Sequence, residues 1–212
     1  MKKIPGFVLS GLLLLSAGTQ AAVSPEVTQL QTQWAHIKYQ LPQDQREQAF
    51  EKLAQQAQQI ADAQPDSAEA KIWEAIILAS NAGERGGLGA LSLVKRAREL
   101  LLEAEKLDAT ALDGSMYTSL GSLYYQVPGW PLGFGNDGKA REYLGKALQI
   151  NPEGIDANYF YADFLMDQGD YQGAVVAFEK ALQAPDRPDR PVADMGRRQE
   201  IQQGLEQARK KL

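Results

Sequence analysis

Residues able to do acid–base or nucleophilic chemistry are scarce in this chain. It has no cysteine and a single histidine, His36, so the usual nucleophile–base pairs and zinc cages lack their parts. His36 lies between Ala35 and Ile37 on an amphipathic stretch and reads as a packed or surface residue rather than a base. Asp163 and Asp167 stand four apart, and Asp156 lies just upstream. Acids at that helical spacing read as a solvated face. Asn136-Asp137-Gly138 has the start of a calcium loop without its ligand series or closing glutamate, so a capping turn is expected there. Gly83 to Gly89 lacks both the Gly-Lys-Ser/Thr ending and the preceding strand of a phosphate loop. No catalytic, metal or cofactor residue is expected.

Recognition chemistry is better supplied. The segment Val127-Pro128-Gly129-Trp130-Pro131-Leu132-Gly133-Phe134-Gly135 presents two aromatics on a conformationally restricted loop. Trp130 and Phe134 either contact a ligand or partner, or fold back over a helix edge. Arg187, Arg190, Arg197 and Arg198 form the one basic concentration, beside Pro185, Pro188 and Pro191. They either receive an acidic partner or pair with Asp186, Asp189, Asp194 and Glu200 while the prolines fix the approach of a last helix.

The elements that must position these groups are helices throughout. Apolar residues recur with period 3.6 and alternating runs are hard to find. A first pair is expected over Val27 to Tyr39 and Gln43 to Ala63, with Pro42 starting the second helix. A second pair covers Ala68 to Ala82 and Ala90 to Leu107, separated by the glycines of 83–89. A third takes Leu112 to Gln126 and Gly138 to Ile150, with Asn136 or Asp137 as the N-cap. A fourth takes Ile155 to Gln168 and Tyr171 to Gln183 around Gly169-Asp170. A final helix over Ala193 to Lys211, with Met195, Ile201, Leu205 and Ala208 on one stripe, is expected to cap the stack. Ala-Arg-Glu occurs at Ala97 and again at Ala140, 43 residues later, so the two lengthened turns before them are expected side by side.

Two of these stretches are copies of one pattern. One runs Tyr117, Leu120, Gly121, Tyr124, then Ala140, Leu144, Ala147 and Pro152. The other runs Asn158, Tyr161, Ala162, Leu165, Gly169, Ala174, Phe178, Ala181 and Pro185. The pattern resembles the tetratricopeptide repeat family, a helix pair of about 34 residues. The resemblance implies an all-α solenoid of about four antiparallel pairs over residues 22–192, with a capping helix over 193–212. It also implies a ligand surface on the first helix of each pair: Glu69, Ile72 and Ile76; Ser115, Thr118, Ser122 and Tyr125; Asp156, Tyr159, Asp163 and Met166. That surface, with Trp130 and Phe134, suits a protein, a peptide or a small apolar solute.

Residues 1–21 are of another kind. Lys2 and Lys3, the apolar Phe7 to Leu15 and Thr19-Gln20-Ala21 read as a secretory signal cleaved near Ala21, against an uncleaved anchor. Removing those residues takes away two lysines and no acids, so the net charge goes from −5 to −7. This disfavours nucleic acid and anionic membrane as partners. No stable membrane insertion is expected after cleavage, and the location is periplasmic or secreted. With the export signal, four helix pairs, Tyr124 to Gly135 and Gly154 to Tyr159, the chain also resembles the T component of TRAP-type transport systems. That implies a periplasmic solute-binding protein as partner. An assembly or chaperone-like factor for envelope proteins is the alternative.

Overall fold

Ser24 and Pro25 start the first helix: the serine hydroxyl accepts from Val27 N at 3.3 Å, and proline fixes φ where no donor is lost. The computed structural model describes residues 23–212, which leaves the expected signal segment outside it. Among the described residues the chain forms nine helices: α1 (Pro25–Gln40), α2 (Gln43–Ala63), α3 (Ala68–Arg85), α4 (Gly87–Leu107), α5 (Ala111–Gln126), α6 (Asp137–Ile150), α7 (Ile155–Asp167), α8 (Tyr171–Leu182) and α9 (Pro191–Arg209). Ser67, Asn136 and Asp170 cap α3, α6 and α8, accepting from the N–H of Ala70, Lys139 and Gly173 at 3.1, 2.9 and 2.9 Å. Gly169, at φ 77°, turns the chain out of α7 in the left-handed region.

The antiparallel pairs α1–α2, α3–α4, α5–α6 and α7–α8 form as the periodicity predicts, except that the expected helix start at Leu112 is a kink in α5, where Leu112, Asp113 and Gly114 take φ of 51°, 55° and 74°. Small residues set the distance between their helices and large ones fill it. A Cβ at Gly121 would stand 2.5 Å from Cγ of Leu144, so only glycine lets α5 approach α6 this closely. Ala140, Ala162, Ala174 and Ala181 are fully buried beside Leu144, Phe164 and Phe178.

The second pair departs from expectation. No long loop separates α3 from α4: α3 continues to Arg85, α4 begins at Gly87, and only Gly86 lies between. Of that glycine run only Gly86 and Gly87 take positive φ, 64° and 60°. Gly83 and Gly89 remain helical, because glycine costs a helix only about 1 kcal/mol. The extra residues became extra helical turns, so the third pair's loop meets helix α4 and has no second loop beside it.

The last helix does more than cap. In the inner layer α1 packs on α3, α3 on α5, α5 on α7 and α7 on α9, and α9 packs back on α1. The even-numbered helices pack only on odd-numbered ones. Five helices therefore close a ring, with the other four behind it. Two glycines let α9 join both neighbours. A Cβ at Gly204 would stand 2.5 Å from Cζ of Phe178 on α8, and one at Gly196 would enter the Tyr39 ring on α1. Seating Gly196 on Tyr39 also turns α9 off its expected stripe: Ile201, Leu205 and Ala208 are buried, but Met195 is 54 % exposed.

Candidate functional site

Closing the ring forms a half-open chamber of about 580 Å³ lined by residues of all five inner helices. Each contributes positions three and four residues apart, which share one helix face. From α1 come Trp34 and Lys38; from α3, Trp73, Ile76 and Ser80; from α5, Ser115, Thr118 and Ser122; from α7, Asp156 and Tyr159; from α9, Ala193 and Arg197. Trp34 stands edge-on to Trp73, ring centroids 5.9 Å apart, and its Nε1 donates to Ser80 Oγ at 2.8 Å. These contacts lock α1 onto α3.

Charge concentrates where α7 and α9 meet. Asp156 accepts from Nε of Arg197 and from Nη1 of Arg187, each at 2.8 Å, through its two oxygens. Arg187 also holds Asp194, and Arg197 donates to Glu200 at 2.6 Å. Tyr39 donates to Glu200 at 3.0 Å, so α1 enters the same network. Burial would push the Asp156 carboxyl up, but Arg197 and Arg187 outweigh it and hold the group well below the usual carboxylate range. Arg197 is only 7 % exposed. Burial opposes its charge, yet Tyr39, Asp156 and Glu200 prevail and push it up. Its guanidinium lies 4.2 Å from the ring centroid of Tyr159 and 4.8 Å from that of Phe160. Burial pushes the Tyr159 phenol up to about 12.

The expected surface residues divide. Ile76, Ser115, Thr118, Ser122, Asp156 and Tyr159 are brought together in the chamber wall. Tyr125 and Asp163 instead engage each other, the phenol donating to the carboxylate at 2.5 Å. Met166 is half-buried against the core, Ile72 is fully buried within it, and Glu69 accepts from Ser67 Oγ at 3.0 Å. The two loop aromatics part company. Phe134 folds back, edge-on to Tyr124 at 5.5 Å and beneath Arg98 at 4.3 Å, whereas Trp130 stays 90 % exposed with Leu132 nearby at 63 %. The loop is compact: Gly135 N donates to Pro128 O at 3.0 Å and Asn136 N to Tyr124 O at 2.7 Å.

Three of the four arginines of the basic run take the internal pairing, and Arg190 does not. Arg198 meets Asp186 at 2.7 Å, Arg187 meets Asp194, and Arg197 meets Glu200. Asp156, from a different repeat, is the partner that sequence reasoning did not assign to them. Trp34, Trp73 and Lys38 were also not assigned to the ligand surface. His36 shares a 2.7 Å hydrogen bond with Gln40 beside a smaller cleft, about 310 Å³, between α1 and α9. Among the described residues no group of His, Asp or Glu is placed to hold a metal ion, and no helix is long and apolar enough to cross a membrane. Residues 135–195, spanning α6 to the start of α9, match the tetratricopeptide repeat family model. No curated protein matches the chain in sequence.

Proposed function

We propose, from the premise that residues 135–195 belong to the tetratricopeptide repeat family of interaction scaffolds, that the chain is an exported, non-catalytic binding protein. Its chamber holds a small solute and its outer surface meets a protein of a periplasmic solute-uptake system. The observation that carries this reading is the docking of α9 on α1, which gives a repeat stack a half-open chamber walled on all sides by helices of the inner layer. A volume of about 580 Å³ falls in the range of small-molecule sites. The wall joins aromatic rings to hydroxyls and many charged side chains, which suits a solute with polar groups as well as an apolar body.

Native mass spectrometry of the protein purified from its own periplasm tests the reading. It should begin near Ala22, carry a non-covalent small molecule, and lose that adduct when Ser122→Trp fills the chamber. A ligand-free mass together with no complex with a solute-binding protein would sink the proposal. The exposed Trp130 and Leu132 favour a second reading, an assembly factor for envelope proteins. Capture of unfolded outer-membrane proteins by the native chain, and not by Trp130→Ala, would select it.

A further inference from the structure

Four cations and three carboxylates meet on one side of the chamber. Lys38 and Arg197 share Glu200, Arg187 and Arg197 share Asp156, and Arg187 also holds Asp194. Arg190 is left over. It forms no ion pair among the described residues, and its buried Nε has no acceptor. The guanidinium lies 5.2 Å from the ring centroid of Trp73, whose own buried Nε1 is equally without an acceptor. Both side chains line the chamber.

Leaving a buried donor unanswered is costly, and buried donors as a rule find partners. Two such donors, stacked together beside one uncompensated positive charge, define a place for an acceptor that arrives from outside. The local excess of positive charge runs against a chain whose net charge is −5. One surplus charge matches a monoanion, and a guanidinium fork matches a carboxylate better than a point ion. Burial pushes the Arg190 guanidinium down, and an incoming carboxylate would reverse that penalty.

Building on the reading of the chamber as a solute site, we infer that its ligand is a small organic acid, the carboxylate held by Arg190 beside Trp73 and the apolar body against Trp34, Tyr159 and Phe160. Isothermal titration of the purified chain with 2-naphthylacetate and with the uncharged 2-naphthylacetamide tests this. The acid should bind roughly 10-fold or more tighter than the amide, the worth of one charge-assisted hydrogen bond. Arg190→Gln should erase that preference, and Arg190→Lys should restore part of it. Should Arg190→Gln fail to fold, Trp73→Phe keeps the ring, removes the second donor and should narrow the preference. Equal binding of acid and amide by the native chain overturns the organic-acid inference alone. Binding of neither overturns the solute chamber as well.

Discussion

Asp156→Asn keeps the shape of the side chain and removes the charge that holds two arginines at once. In the native chain its two oxygens accept at 2.8 Å from Arg197 and Arg187. After substitution Arg187 still has Asp194 and Arg197 still has Glu200. Breaking a buried pair costs about 3–5 kcal/mol when the surviving charge is stranded. Here the Asp156 side chain is 31 % exposed and each survivor retains a carboxylate, so a loss of about 1–2 kcal/mol is expected, or roughly 2–8 °C in Tm for a domain of this size. Urea unfolding followed by circular dichroism at a series of pH values measures it. The native Asp156 carboxyl sits below the usual range, whereas in the unfolded chain it titrates at about 3.9. Its contribution is therefore complete above that value. As pH falls below it, the unfolded state takes up a proton that the folded state refuses, and native stability declines. The variant has no such proton to take, so the gap between the two proteins should be constant from neutrality to about pH 5 and shrink towards pH 3. A gap under about 0.5 kcal/mol at neutral pH, or one that does not shrink in acid, would refute the network as the clasp between α7 and α9.

Gly196→Leu should push Tyr39 aside and part α9 from α1. Small-angle scattering should show a larger radius of gyration while helical content stays nearly constant, and an unchanged radius would contradict closure through this contact. Trp130→Ala should change the unfolding free energy by less than about 0.5 kcal/mol, because the ring is 90 % exposed. A fall of several kcal/mol would mean that the indole packs on something.

The repeat pairs were legible because each depends on local spacing: Gly121 opposite Leu144, Ala162 near Ala174 and Phe178, and Pro152 and Pro185 as stops. The second pair's turn was misread because a glycine run has two outcomes of similar free energy, a loop or a slightly weakened helix, and packing of α3 against α4 decides between them. Half of the chamber was legible too. Ser115, Thr118 and Ser122 on α5 have the same i, i+3, i+7 spacing as Trp73, Ile76 and Ser80 on α3, and Trp34 and Lys38 on α1 keep its i+4 step. Reading α3 as Glu69, Ile72 and Ile76 starts four residues early, about 40° off the inward face. Arg190, Ala193 and Arg197 repeat the spacing on α9, where prolines and charges hide it. Closure itself left no local trace. Gly196 opposite Tyr39 joins positions more than 150 residues apart, and nothing in either neighbourhood names the other.

That long span gives the molecule an order of assembly. The residues that seal the ring, from Arg187 to Glu200, are made after all four hairpins, so a chain emerging from the ribosome or a translocation pore holds an open crescent until they appear. A premature stop between Ala184 and Arg187 would leave the four hairpins with the ring unsealed.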